Sequence, residues 1–337
     1  MEVVVADRTV TGTTVVSHYP RSPVRRTLRE TPSASAVSRS PLTIMKLISV
    51  ALLVGVASAS QLAAPAAKPL LTLRGGAYPA PKAGYHALAA KGAAATKQPV
   101  VPNLLSGALA GAYVCFGAVL SITVASSLGD VAPGVQKLVF GLLFPIALLN
   151  IVATGTQLFT GNTASVAAAL YEGLIEPAAL VRNWAVTYAG NLIGSLLFVS
   201  AFKYTGLLSG STASMAAKIA TGKCAGGFGP TMMKGIFANW LVCLAAYMAT
   251  LETDLAGKIM GIYICISAFV MCGFEHSIAN LFLLPLGQAA GSEVTMMDTI
   301  MKNIVPVTLG NIVAGAVIFA ASYSFLFGKL GGHEKDN

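Results

Sequence analysis

What constrains this chain most is the length of its apolar runs. Six segments, at about residues 104–127, 136–171, 184–207, 232–250, 259–290 and 304–327, are rich in aliphatic residues and poor in charge. A hydrocarbon core about 30 Å thick is crossed by about 20 residues of α-helix, and only helices and closed barrels satisfy their own backbone there. Composition agrees. The chain is 55% hydrophobic and 10% charged, with a mean hydropathy of +0.72, whereas about a quarter of a soluble domain is charged. The sequence therefore predicts an all-α membrane protein with six transmembrane helices.

The net charge of +9 lies outside those segments. Residues 1–103 hold 12 Lys or Arg and 3 Asp or Glu, while residues 104–327 hold eight of each sign. A nucleic-acid reader would need a basic patch on a folded module, so no nucleic-acid partner is expected. The five cysteines form no C-x-x-C and read as small hydrophobes, with no metal site. Residues 1–103 read as a leader. The stretch 45–60, M-K-L-I-S-V-A-L-L-V-G-V-A-S-A-S, has the plan of a signal peptide ending in A-S-A, and 60–103 is transit-like, rich in Ala, Pro and Lys without acids. The pairing resembles the bipartite presequence of algal plastids behind extra membranes. A plastid envelope is the expected location, with the plasma membrane as the alternative. Met45 is a candidate start as well as Met1. Residues 104–327 are expected to form the six-span domain and 328–337 a short C-terminal tail.

Segments two and five are too long for one span, and each is interrupted by polar residues, near Thr160 and near Glu275. R-N-W-A-V-T-Y-A-G-N (182–191) matches K-N-I-V-P-V-T-L-G-N (302–311) at a separation of 120 residues. Together these predict an inverted three-plus-three repeat with broken helices in spans two and five, and a transport site where the repeats meet.

F-E-H-S-I-A-N (274–280) carries His276, the sole histidine between residues 87 and 332. On a lipid face it would be costly, so it is expected to face a cavity, where an imidazole can donate or titrate. Glu275 is expected to hold the broken backbone or relay an ion. Asn280 and Asn239 are candidates to orient the ring. In L-F-T-G-N (158–162), the Thr160 hydroxyl is expected to donate to an anion or cap a helix. The glycine-rich stretch 208–231 brings Lys218 and Lys223, which would concentrate anions in a vestibule. Its G-K-C-A-G-G-F-G places the lysine before the glycines, unlike a phosphate loop.

L-F-T-G-N, N-W-A-V-T-Y-A-G-N, A-N-W-L-V-C-L-A, G-F-E-H-S-I-A-N-L-F-L-L-P-L-G and N-I-V-P-V-T-L-G-N, in that order, resemble the formate/nitrite transporter family over about residues 100–328. A leader suits its algal chloroplast branch, linked to nitrite or bicarbonate. The resemblance implies an aquaporin-like protomer, a homopentamer with one pore per protomer, and transport of a small monovalent anion (nitrite, formate or bicarbonate), proton-coupled in some members. It places the pore histidine at His276 and its neighbour at Glu275. It also sets Asn239 beside the ring, Thr160 at the break, Lys223 in the vestibule, and constrictions at Phe144, Leu148, Leu158 and Phe269. Where members commonly carry an acid before L-F-T, this chain has Gln157. No enzyme activity and no cofactor are expected. The alternative, a channel for small neutral solutes, should show paired N-P-A motifs, and the sequence has none.

Overall fold

The structure is a computed structural model that describes residues 80–333 except 130 and 253. The signal-peptide-like stretch, residues 60–79 of the transit-like stretch and residues 334–337 of the tail lie outside the described residues.

Eleven longer helices, a short 3-10 turn at Lys329–Gly331 and no strand are found among the described residues: α1 (Pro81–Thr96), α2 (Val100–Ser126), α3 (Pro133–Leu143), α4 (Ile146–Thr154), α5 (Phe159–Tyr171), α6 (Pro177–Tyr204), α7 (Gly210–Cys224), α8 (Phe228–Leu251), α9 (Leu255–Met271), α10 (Ser277–Ala289) and α11 (Met296–Phe327). Three of them begin on prolines, at Pro81, Pro133 and Pro177. The fixed φ of proline suits a first turn, where its missing N–H costs nothing. α9 starts where Asp254 accepts a hydrogen bond from the Gly257 N–H.

The six-span, aquaporin-like three-plus-three expectation is overturned. Among the described residues, five helical stretches are long and apolar enough to cross a membrane: α2, the joined α3 and α4 (Pro133–Thr154), α6, α8 and α11. Segment five supplies none. It divides into α9 and α10, of 17 and 13 residues, both short of the roughly 20 needed. Segment two divides differently, into a stretch of spanning length bent at Phe144 and Pro145, followed by the short α5. An apolar run counted along the sequence overstates span length when the backbone turns within it. The two overlong segments therefore divide differently, one holding a stretch of spanning length and the other none.

Burial separates the short helices from the long ones. α5 and α10 are buried nearly all round, α10 without interruption over residues 277–284. α2 and α6 instead expose Leu105, Phe116, Val181 and Leu197, as lipid-facing surfaces do. Polar backbone at a helix break is tolerable at membrane depth only when enclosed by protein, and the long helices supply that enclosure. α2 and α6 approach at glycine: a Cβ on Gly111 would meet the Asn191 carbonyl, and one on Gly194 the Ala108 carbonyl.

α1 falls in the stretch expected as leader, yet it packs against α5 and α8. Tyr85, Leu88 and Ala89 are fully buried with Ala164, Ala168, Tyr247 and Phe319, so the folded body includes α1. A single carboxylate joins its two ends. Glu172, just past α5, accepts from Tyr85 Oη at 2.9 Å, from Ser324 Oγ at 2.7 Å and from the Lys329 N–H at 3.2 Å.

Candidate functional site: a histidine between two cavities

The break after α9 places His276. Gly273 takes φ 73°, a left-handed value that side chains resist, and the chain then runs extended to His276 (φ −117°, ψ 118°) before α10 begins. His276 Nδ1 accepts the Ala279 N–H at 3.1 Å, capping the helix as a serine or aspartate would. A ring nitrogen that accepts carries no proton, so the neutral imidazole holds its proton on Nε2. Nε2 lies 2.9 Å from Thr160 Oγ1 across the molecule. With Nε2–H donating, the Thr160 hydroxyl proton has no acceptor among the described residues. The ring also stacks on Phe269, centroids 5.8 Å apart.

His276 lines two cavities. The outer one, about 510 Å³, is walled by Lys137, Lys218, Lys223, Lys234, Glu275 and Asn280, among others. The inner one, about 20 Å³, is lined by Phe144, Leu148, Leu158 and Phe269 with Val242 and Ile266. All four expected constriction residues thus meet there. That volume holds about one water.

Glu275 is buried and ion-paired. Lys223 Nζ lies 2.8 Å from its Oε2, which also accepts from Asn280 Nδ2 at 2.7 Å and Asn303 Nδ2 at 3.3 Å. Lys223 is thus neutralised. Lys137, Lys218 and Lys234 have no carboxylate partner among the described residues, and they carry the positive field of the outer cavity.

Neither expected orienting asparagine bonds the ring. The Ala279 N–H already fixes it, which leaves no role for a side-chain amide. Asn280 serves Glu275 instead. Asn239 lines neither cavity, and its Nδ2 bridges Thr163 Oγ1 at 2.9 Å and the Asn311 carbonyl at 2.6 Å.

Two residues not singled out for the site hold both breaks in place. Asn311 Oδ1 accepts the Ser277 N–H at 2.8 Å, and its Nδ2 donates to the Gly235 and Glu275 carbonyls. Asn191 Oδ1 accepts the Phe159 N–H at 3.0 Å, and its Nδ2 donates to the Gly107 and Gln157 carbonyls. These are the Gly-Asn ends of the two matching decapeptides. The match was visible in sequence, and what it recorded is a shared way of capping a broken helix.

Known proteins bear on this site. The formate/nitrite transporter family matches residues 82–325. The chain is 36% identical over 252 residues to a probable formate transporter of Methanothermobacter thermautotrophicus, covering 69% of this chain and 91% of the relative. It is 37% identical over 225 residues to the nitrite transporter NirC of Escherichia coli (strain K12), covering 65% and 81%. Among solved structures, a channel described as an FNT family ion channel superposes with a TM-score of 0.68 at 29% identity, over 72% of this chain and 98% of that one. A pentameric formate channel with formate bound superposes with a TM-score of 0.61 at 30% identity, over 68% and 98%. Motif order, site geometry and these matches agree, and the chain belongs to the formate/nitrite transporter family.

Proposed function

We propose that this chain moves a small monovalent anion across a membrane, as a transporter and not an enzyme, along a path from the lysine-bearing cavity past His276 and Thr160 into the inner cavity. The observation that carries the reading is His276 Nε2 against Thr160 Oγ1 at 2.9 Å, a donor pair at the junction of a basic vestibule and an apolar constriction. Lys137, Lys218 and Lys234 raise the local anion concentration. The constriction then charges a desolvation cost, which the free Thr160 proton, aimed by the imidazole N–H that its oxygen accepts, offsets by hydrogen bonding the anion. A proton passed to the anion would come from the doubly protonated ring, a form that must break the Ala279 contact. The geometry described therefore favours donation of a hydrogen bond over release of a proton. Formate, nitrite and bicarbonate all fit the charge and size class. Assembly as a homopentamer follows the relative described as pentameric. Residence in a plastid envelope, with the algal branch of the family, rests on the leader composition.

The test is uptake of formate, nitrite and bicarbonate into proteoliposomes, with and without a pH gradient. Uptake of formate or nitrite above that of empty vesicles is expected, and Thr160→Val should slow it about tenfold. If none of the three anions moves, the reading fails. If only pH-driven uptake occurs and His276→Ala leaves its proton coupling intact, the histidine has no part in it.

A further inference from the structure

Asn280 sits one turn after His276 on α10. Its main-chain N–H donates to the His276 carbonyl at 2.9 Å, and residues one turn apart share a helix face. Both residues line the outer cavity. The Asn280 side chain is fully buried, and both hydrogens of its amide are committed. Nδ2 donates to Glu275 Oε2 at 2.7 Å and to Asn303 Oδ1 at 2.7 Å. Those two acceptors fix which way round the amide lies. Asn303 is itself held, because its Nδ2 donates to the Lys223 carbonyl at 2.9 Å and to Glu275 Oε2 at 3.3 Å. Turning the Asn280 amide over would set its oxygen against two other acceptors.

The oxygen has no such partner. Asn280 Oδ1 is buried and accepts no hydrogen bond among the described residues. Of the buried side-chain atoms without a partner among the described residues, it alone belongs to a residue lining a cavity beside His276. A buried acceptor left unpaired is costly, so an occupant of the cavity that brings a donor is favoured. Lys137, Lys218 and Lys234 of the same wall call for negative charge. A ligand that answers both needs carries an anionic oxygen and an O–H. Bicarbonate has both groups, whereas formate and nitrite have the charge and no hydroxyl.

We propose that Asn280 Oδ1 accepts the hydroxyl of an anion in the outer cavity, and so selects hydroxyl-bearing monovalent anions, bicarbonate above formate and nitrite, before they reach His276. The inference rests on the transport reading above and names a substrate class within it. A donor such as the Thr160 hydroxyl takes any anionic oxygen and does not tell the three anions apart. An acceptor does, because only a ligand with a proton on oxygen satisfies it. The two ends of one amide thus divide the work: Nδ2 holds Glu275, and Oδ1 reads the anion.

Nitrate is the control, since it has the planar shape, size and charge of bicarbonate but no O–H. In proteoliposomes taking up labelled formate from mildly alkaline buffer, each is added outside as a competitor. Competition avoids following bicarbonate itself while carbon dioxide crosses the bilayer. Burying an extra hydroxyl is unfavourable unless it is hydrogen-bonded, so a preference for bicarbonate needs an acceptor. Bicarbonate should halve formate uptake at about one fifth of the nitrate concentration, the worth of one hydrogen bond. In Asn280→Leu, which has no acceptor, the two concentrations should become about equal. Asn280→Met, more pliant in shape, takes its place if Asn280→Leu does not fold. Loss of the Glu275 and Asn303 contacts slows formate uptake but acts on both competitors alike, so it leaves their ratio unmoved. If nitrate competes as well as bicarbonate against the parent protein, the proposal is overturned without any variant. If the fivefold ratio survives in the variant, the hydroxyl is read elsewhere, Asn280 only anchors Glu275, and the proposal is again overturned. Failure of the parent protein to take up formate would instead refute the transport reading.

Discussion

Asn311 is where the site's architecture can be tested most directly. The side chain is fully buried and makes three hydrogen bonds to backbone. It accepts from the Ser277 N–H at 2.8 Å and donates to the Gly235 carbonyl at 2.7 Å and the Glu275 carbonyl at 3.2 Å. Asn311→Ala leaves all three groups unpaired at membrane depth. Side-chain hydrogen bonds measured inside membranes average about 0.6 kcal/mol, which sets a floor of about 2 kcal/mol for three. Charging each stranded group about 1–3 kcal/mol, and allowing for partial relaxation and the smaller side chain, gives an upper figure of about 5 kcal/mol. Unfolding in mixed micelles with rising denaturing detergent, followed by the fluorescence of Trp184 and Trp240, should therefore show Asn311→Ala destabilised by about 2–5 kcal/mol. Asn191→Ala should fall in the same range, because it strands the Phe159 N–H and two carbonyls in the same way. A loss under about 0.5 kcal/mol at both positions would refute the argument that these asparagines hold the breaks together.

Breaking the ion pair from one side should be worse than removing it whole. Glu275→Gln leaves Lys223 without its counter-charge and should destabilise by about 3–5 kcal/mol, whereas the double variant Lys223→Met with Glu275→Gln should recover most of that loss, as read by the same unfolding assay. Gly111→Leu drives a side chain into the Asn191 carbonyl. It should separate α2 from α6 and lower folded yield well below that of Gly134→Leu, where nothing lies within 4 Å.

The class of the protein was legible in sequence because membrane helices must be long and apolar, and composition reports both. The family resemblance named Phe144, Leu148, Leu158 and Phe269 together, and these four line one small cavity. What sequence could not give was the division of its long runs. Residues 259–290 look continuous in hydropathy, but Gly273 turns the backbone and two short helices result. The matching decapeptides suggested a repeat of spans, whereas each match marks an asparagine that caps a short helix. Asn239 was misplaced for a related reason. An asparagine's spacing along a helix does not say which of several buried acceptors it will reach, and here a threonine and a carbonyl reached it before the ring did. Lys223 shows the converse. Its presence in the vestibule was expected, but its pairing with Glu275 needed coordinates, since 52 residues separate them.

The carboxylate of Glu172 means that damage to one end of this protein is not private to that end. A chain trimmed after Phe327 loses the Lys329 N–H, leaving the Ser324 and Tyr85 hydroxyls to hold a buried negative charge alone. Tyr85 is also what fastens α1 to this carboxylate. Tags and trims at the carboxy terminus, harmless on a topology diagram, are therefore edits to the seating of the amino-terminal helix.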